Sequence, residues 1–207
     1  MPTPLVVLVP DKDVEQTIKG LLSRWQSLQI RRVSADVFVH VERDPGCLLR
    51  GHDFLQSFAK QYEHAILMFD REGCGRDHLP RETLERETEE RLSHAGWGSR
   101  AASIVFDPEV EIWVWSDSPH VDAVLGWRGA SPGLRDWLQE RNLLQRGTLK
   151  PKRPKEAMEA ALRQKRCRRS STIFSRLASV VSLERCQDQA FAKLVMTLRT
   201  WFPIEDS

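Results

Sequence analysis

The sequence has no apolar run near the ~18 residues that a membrane-spanning helix needs. Its N-terminus, MPTPLVVLVPDKD, lacks both a basic leader and a long hydrophobic stretch. A cytoplasmic protein with no membrane attachment is expected. Cysteine is scarce: Cys47, Cys74, Cys167 and Cys186 are too scattered for a disulfide framework or a zinc site, so reduced thiols are expected. The sequence also lacks a GxSxG nucleophile turn, a Walker-type phosphate loop and a dinucleotide fingerprint; Gly73-Cys74-Gly75 is only a GxG. It has no internal repeat and no long low-complexity tract.

What is there is an ordinary globular composition in an uneven arrangement. The 207 residues are 41% hydrophobic and 29% charged, enough for one large domain or a domain with an appendage. The net charge of +2 conceals a strong asymmetry. Between Gln145 and Arg169 ten basic residues face only Glu156 and Glu159, a local charge of +8 that leaves −6 for the other parts of the chain. An anion-binding surface on an acidic body is the expectation.

Apolar runs alternate with helical patterns over residues 1–128, which are read as an α/β core with a mostly parallel sheet flanked by helices. Strands are expected at Leu5 to Val9, Asp36 to Val41, Ile66 to Phe69 and Ala102 to Phe106. Helices are expected after Asp11 or Asp13, with Val14, Ile18, Leu21, Leu22 and Trp25 at helical spacing, over Gly51 to Tyr62, and from Pro80 to Ala95. Arg43 to Gly46 reads as a turn, and Gly96-Trp97-Gly98 as a helix stop. The Glu/Arg run of the third helix reads as a solvated face over an inner stripe of Leu84, Thr88 and Leu92. In Asp107 to Asp117, Asp107 followed by Pro108 and Glu109 predicts a short helix with Asp107 as its cap.

Residues 129–207 are read as a helical C-terminal region packed on that core. Helices are expected from Ser131, over Glu156 to Lys165, over Ser171 to Val181 and over Asp188 to Trp201. The prolines of KPKRPK, Lys150 to Lys155, break regular helix and make it a basic loop or crevice lip.

The stretch with most chemical content is ILMFDREGCG, Ile66 to Gly75, in which a buried strand delivers Asp70 and Glu72 to its C-terminal end. Ligands of open α/β sheets bind at that edge. Glu109 and Glu111 are expected beside it, with Asp11 and Glu15 arriving from the first strand-to-helix turn. Carboxylates gathered this way suit magnesium or manganese, which take a few protein oxygens and keep waters for phosphates to replace. The basic residues Lys150, Lys152, Arg153, Lys155, Arg168 and Arg169, with Ser170 and Ser171 at a helix start, are the candidate phosphate grip for DNA or RNA. Cys74 and His40 read as structural, and the tryptophans mainly as core, with Trp97, Trp113 and Trp115 able to line a pocket.

The motifs LVPDKDVE, DPGC, FDREGCG, GWG, DPEVEIWVWSDSPHV, KPKRPKEA, RRSS and SLERCQDQAFAKLVMTLRTWFP run over nearly the whole chain. Together they resemble the Toprim-like (topoisomerase-primase) proteins of bacterial defence islands, the RloB-like group and the Toprim-like component of methylation-associated antiphage systems. The resemblance implies a Toprim-like core and a magnesium-dependent nuclease or phosphoryl-transfer activity in antiviral defence, with other defence proteins as partners. Toprim domains bind magnesium through a glutamate after the first strand and a DxD pair after a later one. By the resemblance, Asp70 matches the first aspartate and Glu72 stands at the second, with Glu111 or Glu109 completing the metal shell or orienting water. Pro10 holds the glutamate's place, so Asp11 or Glu15 would have to substitute. That departure leaves a second reading open, a non-catalytic module that binds nucleic acid or nucleotide as a scaffold or regulator. A third is an acidic pocket for a small ligand.

Overall fold

The computed structural model describes residues 2–204. Its elements run β1 (Thr3–Val9), α1 (Lys12–Leu22), α2 (Trp25–Leu28), β2 (Ala35–Val39), α3 (Arg43–Gln56), β3 (Tyr62–Asp70), α4 (Arg81–Leu92), β4 (Ala101–Phe106) and α5 (Glu111–Val114), then α6 (Pro119–Val124), α7 (Leu134–Glu140), α8 (Pro154–Gln164), α9 (Ser171–Val180) and α10 (Gln189–Trp201). The four strands form one sheet in the order β2-β1-β3-β4, and every neighbouring pair is parallel. The α/β architecture with flanking helices is as the alternating pattern predicts.

Strand composition explains the layering. Successive side chains point to opposite faces. Leu5, Val7, Val9, Ile66, Met68, Ile104 and Phe106 enter one core, while Val6, Leu8, Leu67, Phe69 and Val105 enter the other. A strand buried on both sides must be apolar throughout, which is why these segments read as continuous runs. α3 and α4 cover the second face. The first core takes α1 and α5 together with Leu134, Phe174, Leu177, Phe191 and Leu194 of the C-terminal helices, so one apolar core runs across the 128/129 boundary.

Several expectations need local correction. The RDPG segment is the first turn of α3; proline is tolerated there because first-turn N–H groups lack intrahelical acceptors anyway. α3 stops at Gln56, and Tyr62 already belongs to β3, where its hydroxyl donates to Asp36 at 2.7 Å. α4 stops at Leu92, and a π-helical turn, Ser93–Trp97, follows before Gly98. The Asp107–Pro108 peptide is cis, and α5 begins only at Glu111 with Val110 before it, so Asp107 is not its cap. Lys150 to Arg153 is loop, but Pro154 opens α8.

The charged face of α4 is also not simply solvated. Glu85, 4% exposed, accepts the Val105 N–H at 3.0 Å, and Glu89 accepts that of Ser103 at 2.9 Å. These are backbone donors on the free edge of β4, which α4 therefore closes with side chains. Lys193 of α10 binds both glutamates, at 3.1 and 2.7 Å, and Arg81 binds Glu85 at 2.7 Å.

Candidate functional site

The strand order reverses direction between β1 and β3, and in open parallel sheets ligands bind beyond the C-terminal strand ends beside such a point. Asp70, the last residue of β3, pairs in register with Phe106, the last of β4, so both strands end at the same height. Asp70 Oδ1 accepts the Val110 N–H at 2.9 Å, which ties the segment after β4 to the end of β3. Asp107 turns outward to Arg71, at 2.8 Å, while Glu109 and Glu111 turn inward and are 8% and 1% exposed. Carboxylate oxygens of Asp70, Glu109 and Glu111 lie within 4.8 Å of one another.

Two cations from the C-terminal helices close on this trio. Lys155, in the first turn of α8, donates its backbone N–H to Glu109 Oε1 at 2.9 Å and holds its ammonium 3.9 Å from Oε2. Arg169, just before α9, donates to Glu111 Oε1 at 2.6 Å and reaches Asp13 Oδ2 at 2.7 Å. One oxygen of each carboxylate is thus fixed by the chain. Among the described residues no hydrogen bond engages Asp70 Oδ2 or Glu111 Oε2.

Burial pushes the Asp70 carboxyl well above the usual carboxylate range, and the charges of Asp44, Glu111 and Asp11 push it further. Burial, then the neighbouring Glu111, lifts Glu109 to about 7. Asp44 and Asp13 are also raised, chiefly by burial, with Arg169 pulling Asp13 back down. Burial lowers the Lys155 pKa, but Glu111 and Glu109 outweigh it and raise the ammonium overall. Like charges crowded in a poorly solvated place favour either protons or a cation. Three hard oxygens at this separation fit magnesium or manganese, so the residues present are compatible with such an ion.

The remaining predicted residues fall in different places. Asp11 caps α1, accepting the N–H groups of Asp13 and Val14 at 2.9 and 3.0 Å, and its charge reaches Asp44 and Asp70 from beyond the end of β1. Glu15 lies one helical turn on and pairs with Lys12 at 2.6 Å and Lys19 at 2.7 Å, away from the trio. Glu72 is exposed and lies outside the 4.8 Å group, but its charge still adds to the raised Glu109 carboxyl; its N–H is on Pro108 O at 2.9 Å. The strand ends at Asp70, so the second residue beyond it already lies on the outer turn. Lys152, Arg168 and Ser170 are exposed, Ser171 is half-buried, and Arg153 pairs with Glu156. Lys150 is withdrawn beside Asp188, at 3.7 Å, rather than displayed on a lip.

Asp44 escaped sequence reasoning. Its Oδ1 accepts the Asp70 N–H at 2.8 Å, making it a direct neighbour of the trio. The available signal was positional: each of β1, β2, β3 and β4 is followed or ended by an aspartate within five residues, and reading 43–46 as a turn concealed the second. His40 is buried with Nδ1 accepting the Glu42 N–H at 3.1 Å, and Cys74 is buried with its thiol pushed up by burial. The indole N–H groups of Trp97, Trp113 and Trp115 donate to Leu55 O, Asp188 Oδ1 and Pro154 O, so each ring pins one element to another.

Comparisons with protein-family models, curated proteins and solved structures return no match for this chain. Among the described residues no helix is long and apolar enough to cross a membrane.

Proposed function

We propose that Asp70, Glu109 and Glu111 hold a divalent cation, magnesium or manganese, and that the protein is a metal-dependent phosphoryl-transfer protein acting on nucleic acid, in the manner of a Toprim-like nuclease. The observation that carries this reading is the convergence of three carboxylates, within 4.8 Å, from the C-terminal ends of β3 and β4, next to the point where the sheet order reverses. A bound divalent ion would supply charge stabilisation for phosphate oxygens. The chain's own groups would do the other work. Arg169 and Lys155 border the trio and offer N–H donors to a phosphodiester. In the metal-free protein Glu109 stands at about 7, so near neutrality it readily gives up its proton to make room for a cation. Lys152 and Arg168 are exposed cations that a polyanion can meet. Following the sequence resemblance, the setting is bacterial antiphage defence together with partner proteins.

The test is manganese titration by calorimetry with cleavage assays on DNA, RNA and nucleotides, with partner proteins present. The wild type binds manganese saturably and cleaves; Asp70→Ala loses both. Intact substrates under all these conditions refute the catalytic reading.

One observation favours a second reading. Arg169 already sits on Glu111 at 2.6 Å and on Asp13 at 2.7 Å, so the acids are partly neutralised from within. A non-catalytic module would retain nucleic-acid binding in EDTA and bind no metal saturably, with affinity that falls steeply as salt rises.

A further inference from the structure

A cleft lies past the C-terminal end of α5, between the loop after β4, residues 148–150 and the start of α10. It has a volume of about 540 Å³ and shares no lining residue with the carboxylate trio or with Lys155 and Arg169. Two side chains lining it have buried polar atoms without a hydrogen-bond partner: Lys150 Nζ and Ser116 Oγ. Ser116 is 3% exposed. The nearest carboxylate oxygen to the ammonium, Asp188 Oδ2, is 3.7 Å away, beyond hydrogen-bonding distance. Asp188 offsets the charge of the ammonium at that range, but the ammonium N–H groups still lack an acceptor, which is costly unless something supplies one.

A third donor set comes from the helix. Gln189 and Ala190 line the cleft as the first residues of the 13-residue α10. Asp188 Oδ1 takes the Phe191 N–H at 3.1 Å and the Trp113 indole at 2.9 Å, and among the described residues the Gln189 and Ala190 N–H groups have no acceptor. Most acids nearby are already engaged. Asp107 pairs with Arg71 and Glu82 with Arg81, both at 2.8 Å, while Asp117 is exposed at the rim, where Arg185 donates to its carbonyl at 3.2 Å. Donors on three chain segments therefore line the same cleft. A tetrahedral phosphate has terminal oxygens enough for all three, whereas a planar carboxylate has two.

We propose that this cleft binds a phosphate-bearing small ligand of nucleotide size, with Lys150 Nζ, Ser116 Oγ and the first-turn N–H groups of α10 taking its anionic oxygens. The volume is in the range of small-ligand sites. The site is independent of the metal centre and operates without divalent ions.

Isothermal titration in EDTA tests it with three probes: inorganic phosphate, adenosine 5′-monophosphate and citrate. The wild type binds phosphate, and the nucleotide more tightly; Lys150→Met weakens both about tenfold or more, roughly 1.4 kcal/mol. Ser116→Ala weakens both while keeping the fold, and so serves even if Lys150→Met misfolds. Arg163→Met, which removes an exposed charge outside the cleft, leaves binding unchanged. No binding by either phosphate probe, tighter binding of citrate, or equal weakening by Arg163→Met overturns the proposal. Since EDTA is present throughout, failure of the metal reading does not alter any of these outcomes.

Discussion

Glu109→Gln in metal-free protein isolates what crowding costs the carboxylate trio. The Glu109 carboxyl moves from an ordinary 4.5 to about 7 on folding. A raised acid binds its proton more tightly when folded than when unfolded. The penalty is therefore absent below pH 4.5, grows through the interval and is complete above pH 7. At about 1.4 kcal/mol per pH unit between the two values, it reaches about 3 kcal/mol. Glutamine keeps an Oε1 acceptor for the Lys155 N–H, and the pull of the Lys155 ammonium, 3.9 Å from Oε2, is already contained in the net shift. The variant should then exceed the wild type by about 3 kcal/mol at pH 8, or about 6–12 °C in Tm for a chain of this size. At pH 5 the gain should shrink to under about 1 kcal/mol. Urea unfolding in EDTA at the two pH values measures the difference. A variant that is less stable by the same amount at both refutes the reasoning, because Glu109 would then be a structural acceptor without buried charge.

Arg169→Met leaves Glu111, 1% exposed, and Asp13 without their cation, and should destabilise the metal-free protein by about 3 kcal/mol, recovered in part by manganese. Thermal unfolding with and without the ion checks it, and absence of recovery counts against a cation site. Glu85→Ala strips the acceptor from the buried Val105 N–H and partners from Arg81 and Lys193, so a loss of about 2–4 kcal/mol in chemical denaturation is expected. Gly20→Ala would place a Cβ 2.8 Å from Ala178 Cβ and 3.0 Å from Ser175 O, forcing α1 and α9 apart at about 1–3 kcal/mol. If the C-terminal helices fold with the sheet, its calorimetric trace stays a single transition moved to lower temperature; two transitions, one unmoved, would contradict the shared core.

What the sequence made legible follows from locality. β1, β3 and β4 were readable because burial on both faces demands unbroken apolar residues, and Asp70 was readable because an acid ending such a run has to emerge at the sheet edge. β2 was harder to bound: it is the outer strand, half-buried, and its ladder ends at Val39. Glu72 was harder to place, since counting two residues past Asp70 assumes that the strand direction continues, whereas the chain turns there; its N–H meets the Pro108 carbonyl and only its charge reaches Glu109. Lys155 and Arg169 were visible as charge but not as partners of particular acids, because 46 and 58 residues separate them from Glu109 and Glu111.

The same limit explains why α4 looked solvated. Its helical pattern separates Leu84, Thr88 and Leu92 from charged neighbours correctly, yet nothing local marks Glu85 and Glu89 as acceptors for a strand edge that forms 14 to 20 residues later. A free edge in a four-stranded sheet exposes backbone N–H groups that a parallel neighbour would otherwise take. Two glutamates take them here, and Lys193 of α10 balances the resulting charge. That couples the C-terminal helix to β4, whose far end delivers Glu109 and Glu111. Disturbing Lys193 should therefore shift the trio's metal affinity without touching a ligand. In Lys193→Met a weaker manganese isotherm with an unchanged site number supports that coupling, while an unchanged affinity would confine Lys193 to holding the edge.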